Sequence, residues 1–173
     1  MARSRRDFIK LSAAGGAAIV AGNTFASQTQ TDVTIAMTGK QKIVNKPIVV
    51  STWNHGFAAN KAAWTVLEAN GSALDAVEKG VRVSESDPEC MSVGLGGLPD
   101  RDGNVTLDAC IMNHKNQCGS VAFLQHIENP ISVARKVMED TPHVMLAGSG
   151  ALEFALSKGF VKTNLLTEKA KKA

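Results

Sequence analysis

Residues 91–103 read Met-Ser-Val-Gly-Leu-Gly-Gly-Leu-Pro-Asp-Arg-Asp-Gly, and this glycine-rich run limits what the chain can become. Gly94, Gly96 and Gly97 form G-x-G-G, not the G-x-G-x-x-G that opens a dinucleotide-binding helix. No G-x-x-x-x-G-K-[ST] phosphate loop occurs anywhere in the chain. Leu98-Pro99-Asp100 follows, which does not start a helix. A phosphate cradle is therefore not expected here. Two readings of the loop stay open. It is either a strained turn that lets backbones approach closely, or a support that aims the Ser92 hydroxyl into a site.

The segments around the loop give an element order. Lys46–Trp53 starts at a punctuating Pro47 and runs through β-branched residues, so it reads as a buried first strand ending at Trp53. Phe57–Asn70 carries Ala58, Ala62 and Val66 with Trp64 and Leu67 at helical spacing, and stops at Asn70-Gly71. Ser72 is the expected cap of a second helix that ends at Asp87-Pro88. Beyond the loop, Val105–Met112 and Gly119–Leu124 read as a hairpin, and Pro130–Asp140 as a helix with proline in its first turn. His143–Ala147 is expected as a short buried strand, followed by a helix from Ser149 or Gly150 to Lys158. Residues 161–173 are expected to trail off with no element to pack. The fold class is mixed α/β (α+β), with helices layered on a paired hairpin.

The N-terminus is an address rather than fold. Ser4-Arg5-Arg6-Asp7-Phe8-Ile9-Lys10 precedes the uncharged stretch Leu11–Ala26. That stretch is shorter than the ~18–20 apolar residues of a membrane span and is broken by Gly15, Gly16 and Gly22. Residues 1–26 read as a twin-arginine signal, cleaved after Ala26 or one residue later, and 27–42 as a flexible polar leader. The product is expected to fold in the cytoplasm and work in the periplasm or outside the cell, meeting the membrane only during export. The signal holds Arg3, Arg5, Arg6 and Lys10 against Asp7, which accounts for the whole net charge of +3. The rest is balanced, so charge predicts no nucleic-acid partner.

Three cysteines, Cys90, Cys110 and Cys118, leave at least one thiol free and match no zinc spacing. Cys110 lies in a strand pattern and reads as a small core residue. His55, His114, His126 and His143 are dispersed, without the i, i+4 spacing of a helical metal site. No metal or cofactor is implied. Trp53-Asn54-His55-Gly56 closes the first strand, where ligands of α/β folds bind. Trp53 is either a wall for a small polar ligand or a core residue, and His55 either a site residue or a surface one.

Several segments resemble the glycosylasparaginase (aspartylglucosaminidase) family. They are Trp53, Gly71-Ser72-Ala73-Leu74-Asp75-Ala76-Val77-Glu78, Ser92–Asp100, Thr106-Leu107-Asp108-Ala109, Gly119-Ser120-Val121-Ala122, Asn129–Arg135 and His143-Val144-Met145-Leu146. The resemblance runs over residues 44–167 almost without gaps. It implies the first half of a four-layer αββα N-terminal-nucleophile hydrolase sandwich. In that family the precursor cuts itself before a threonine in a His-Asp-Thr-Gly-like context. The freed threonine then attacks an asparagine side-chain amide, with its own α-amine as base. The implied substrates are glycosyl-asparagine, in which N-acetylglucosamine is joined to asparagine, and related β-aspartyl amides.

Carried over by position, Trp53 lines the substrate pocket and Ser92 lies near the amine of the nucleophile, while His55 stands where an aromatic or apolar residue is usual. The nucleophile itself is not found. The only Asp-Thr pair is Asp140-Thr141, followed by Pro142, so Thr141 reads as a helix-end residue. The expected organisation is a hydrolase portion over 43–167 and a linker over 168–173, partnered by a carboxy-terminal half in a heterotetramer of two αβ units. The alternative is a non-catalytic exported binding domain derived from that family.

Overall fold

The computed structural model describes residues 46–173. The expected signal at 1–26 and leader at 27–42 lie outside the described residues.

Two helices come first, α1 over Gly56–Glu68 and α2 over Ala73–Glu85. They pack side by side through small residues, with Ala63 and Ala76 buried between them. Asn70 takes a positive φ of 58° in the connection, and its amide reaches back to Leu67 O at 3.0 Å. Ser72 caps α2 as its sequence predicts. Its Oγ accepts the Asp75 amide at 3.1 Å and donates to the Asp75 carboxylate at 2.7 Å. That hydroxyl, followed by the Arg135 guanidinium, holds the Asp75 carboxyl below its ordinary range.

A three-stranded mixed sheet follows, ordered β1-β2-β3: β1 Leu107–Met112, β2 Cys118–Leu124 and β3 Leu146–Ala147. β1 and β2 are the expected antiparallel hairpin, and β3 runs parallel to β2. Helix α3, Pro130–Asp140, lies across one face of the hairpin, and α4, Gly148–Ser157, packs beside it. The core between them is Ile111, Val121, Leu124, Ile131, Val133, Val137, Ala151 and Ala155. Gly119 is where β2 crosses α3. A Cβ there would overlap the Ala134 carbonyl and stand 2.5 Å from the Met138 amide, so only glycine allows this approach. Arg135 ties α3 to α2, reaching Asp75 at 2.6 Å and Glu78 at 2.7 Å, and also pairs with Glu139 of its own helix at 2.7 Å.

Four expectations are corrected. Residues 46–53 form no strand. Ile48 and Val50 are 81% and 83% exposed, because no strand lies beside them among the described residues and β-branched residues need a ladder to join. The segment instead borders an apolar hollow of about 390 Å³ against α1 and α2. Cys110 is exposed rather than core: Leu107 and Ile111 are buried, which puts Asp108, Cys110 and Met112 on the opposite, exposed face. The expected strand His143–Ala147 shrinks to Leu146–Ala147 and is not buried. Pro142 lacks an amide at its entry, and the Val144 carbonyl is taken by the Ser120 hydroxyl at 2.7 Å. Finally, the tail does pack. Leu165 is buried against Val105 and Leu107, Lys169 pairs with Glu89 at 2.6 Å, and Ala170–Lys172 forms a short 3₁₀ turn.

Candidate functional site

The residues before α1 and those after α2 face each other across a cleft of about 740 Å³. Trp53, Asn54 and His55 form one wall. Asp87, Glu89, Cys90, Met91, Ser92, Val93 and Leu98 form the other.

Trp53 is 81% exposed and takes a positive φ of 67°. A bulky residue pays conformational strain there, and such strain gathers at sites that need a side chain aimed in an unusual direction. The neighbouring backbone fixes it: the Trp53 carbonyl accepts the Gly56 amide at 3.2 Å. His55 begins α1 and is half-buried, its amide bonded to Asn54 Oδ1 at 2.9 Å. The Ser51 hydroxyl bonds Asn60 Oδ1, which anchors the approach to Trp53 on α1.

The opposite wall is the glycine loop. Gly94 has φ 59° and lies directly on the backbone of Glu85, where any Cβ would overlap the carbonyl. The Leu95 amide then donates to Glu85 O at 2.7 Å, and Gly96, with φ 82°, donates to Leu165 O at 2.8 Å. Leu98 closes the loop onto Met91 O at 3.0 Å. Ser92 stands exposed on this frame, its Oγ 3.5 Å from Cys90 Sγ. Behind it, Asp100 Oδ1 accepts the amides of Asp102 and Asn104 at 2.9 and 2.8 Å, and the Asn104 bond most of all keeps its carboxyl below the ordinary range.

Trp53 and Ser92, singled out separately in the sequence, therefore line the same cleft. Thr141 does not join them. It ends α3, its hydroxyl donating to Val137 O at 2.8 Å and accepting the His143 amide at 3.0 Å. Among the described residues no group of three His, Cys, Asp or Glu side chains is placed to hold a metal, and no helix is long and apolar enough to cross a membrane.

Sequence reasoning missed Glu85. It is 2% exposed and supplies the cap that α3 lacks. Asn129 makes no side-chain cap bond, and the Ile131 amide donates instead to Glu85 Oε1 at 3.0 Å. Burial pushes the Glu85 carboxyl up to about 7, against the opposing pull of the Ile131 bond. The only sequence signal is an acidic residue at the end of an apolar helix face, which ordinarily marks solvent.

Residues 28–173 match the asparaginase family. The chain belongs to that family of N-terminal-nucleophile hydrolases. Residues 4–22 match the twin-arginine translocation signal, so the family member carries the signal for twin-arginine export. The chain is 59% identical to an N(4)-(β-N-acetylglucosaminyl)-L-asparaginase of Elizabethkingia miricola, over 99% of its own length and 49% of the relative's. It is 48% identical to the rat (Rattus norvegicus) protein of the same name, over 70% of this chain and 35% of that one. A plant-type L-asparaginase of Pyrococcus horikoshii is 49% identical over 61% of this chain and 34% of its own. The chain thus spans about half the length, or less, of these curated relatives.

Proposed function

We propose that this chain supplies the amino-terminal portion of an exported amidohydrolase of the glycosylasparaginase type. Its substrates are the amide between N-acetylglucosamine and asparagine, or related β-aspartyl amides. The observation that carries this reading is the shared cleft of Trp53 and Ser92, and the names of the relatives give the substrate class.

In this reading residues 46–167 form one half of a four-layer αββα sandwich, and residues 168–173 lead out of it. The nucleophilic threonine lies in sequence outside these 173 residues, in a carboxy-terminal half with which this portion assembles, two such pairs forming a heterotetramer. Trp53 offers a flat apolar wall to bound substrate. The Ser92 hydroxyl hydrogen-bonds the threonine α-amine, keeping its lone pair aimed at the hydroxyl proton. Attack on the amide carbon then gives a tetrahedral intermediate. Its collapse expels the glycosylamine as the α-ammonium returns that proton to the departing nitrogen, and water, deprotonated by the same amine, hydrolyses the β-aspartyl ester. No cofactor enters this chemistry.

The test is complementation. The chain is co-expressed with the part of the Elizabethkingia relative that it does not match, and glycosylamine release from glycosyl-asparagine is followed. Activity in the assembled pair and none in the chain alone is the expected result. A pair that co-purifies and binds the substrate without cleaving it would instead favour a non-catalytic binding domain.

A further inference from the structure

Glu85 touches three parts of the molecule at once. It is the last residue of α2. Its Oε1 accepts the amide of Ile131 at the start of α3, and its backbone carbonyl accepts the amide of Leu95 in the glycine loop at 2.7 Å. Gly94 rests on its main chain with no room for a Cβ. Its second carboxylate oxygen, Oε2, is buried with no hydrogen-bond partner. A buried, unpartnered carboxylate oxygen is costly when charged and much less so when protonated.

The charged groups around it do not neutralise it. The Asn129 side chain, just before α3, and Arg82 on α2 favour the charged form, Glu78 opposes it, and burial outweighs them all. On α3, Arg135 is already engaged by Asp75, Glu78 and Glu139. In the loop, Asp87 and Glu89 are exposed, and Glu89 is paired with Lys169.

We propose that Glu85 is a positioning residue whose protonation state sets how tightly the Ser92 loop is held against α2 and α3. The neutral acid keeps the Ile131 bond and leaves no charge on Oε2, so the three elements stay closed. The ionised form gains hydration by admitting water between the end of α2 and residues 94–95, and the loop loosens. The carboxyl's raised midpoint places this change near neutral pH. The effect on the loop stands on the contacts alone, while its consequence for catalysis rests on the role proposed for Ser92.

The experiment is amide hydrogen exchange on this chain at about pH 5.5 and about pH 8, expressed as protection factors so that intrinsic exchange rates are divided out. The expected result is a fall of at least about tenfold in Leu95 protection from the lower to the higher pH, corresponding to one pKa unit of linkage. Val121 in the hairpin, which exchanges through global unfolding, should fall no further than the loss of global stability that Glu85 itself imposes, and Leu95 should be the less protected of the two at both pH values. In Glu85→Gln, Leu95 protection should be the same at both pH values. Unchanged Leu95 protection in the wild type, Leu95 protection equal to that of Val121 at both pH values (opening by global unfolding only), or the same fall in Glu85→Gln would each overturn the proposal. If Glu85→Gln does not fold, the wild-type comparison of Leu95 with Val121 decides. The readout involves no catalysis, so a failed clasp leaves the hydrolase reading intact, and an inactive complemented pair leaves the clasp intact.

Discussion

The Phe123 amide donates to the Asp108 carboxylate at 2.8 Å, across a bulge in the hairpin. Leu107 pairs with Leu124 and Ala109 with Val121, so β2 carries one residue more than β1 at this point. Phe123 sits there with φ 53° and is 56% exposed. Phe123 has no partner in the register of the hairpin, and the carboxylate takes its amide. Asp108→Ala should destabilise the chain by about 1 kcal/mol, whereas Phe123→Gly, which accepts the positive φ without strain, should cost little. Thermal unfolding of the two variants checks the contrast. Equal losses would mean that the bulge depends on the Phe123 ring rather than on the Asp108 bond.

Glu85 also predicts a pH dependence of stability. Its carboxyl is raised in the folded state from 4.5 to about 7. The folded chain therefore binds more protons than the unfolded chain between those values. Stability from this group is complete below the unfolded midpoint and is lost as pH rises through about 7. Glu85→Gln should flatten this slope in urea titrations and stabilise the chain above neutrality, by at most about 3 kcal/mol. A variant with the wild-type slope would place the titration on another group.

The crossing of β2 over α3 is set by Gly119. Because a Cβ would overlap the Ala134 carbonyl, Gly119→Ala should push the hairpin off the helix and cost about 1–3 kcal/mol, as overpacking does. A midpoint in urea equal to wild type would show that the sheet can shift without loss.

In the completed enzyme, the two walls of the cleft should separate kinetically. On the roles proposed above, Trp53→Ala should mainly raise KM, as loss of a contact surface for substrate does. On the same reading Ser92→Ala should mainly lower kcat, by ~10–100-fold, the effect of losing one hydrogen bond to the base. Steady-state kinetics on folded, processed protein decide this, and full kcat in Ser92→Ala would leave Ser92 as a turn residue only.

Export should depend on Arg5 and Arg6, within the matched signal. Replacing both by lysine should leave the precursor in the cytoplasm, as read by fractionation. Unchanged periplasmic yield would point to another route.

Local chemistry made much of this chain legible. Ser72 caps α2, Pro130 begins α3 and Asn70-Gly71 follows the end of α1, each because the residue's own backbone preference or side-chain reach acts within a turn. Ser92 was marked by its place in a glycine loop, and Trp53 by the end of a strand that does not form, although both line the cleft. Residues 46–53 misled because β-branching expresses a preference that only a neighbouring strand can satisfy.

By itself, then, the sequence determined the export address, the helices and hairpin, and the family, all of which rest on contiguous residues. Tertiary structure alone decided what depends on distant chain segments meeting. It faced Cys110 outward and Ile111 inward, because α3 covers only one side of β1. It brought Leu165 under Leu107. It placed the Glu85 carboxyl at the start of α3, where burial, a property of the assembled fold and not of any residue type, shifts its proton affinity toward neutrality.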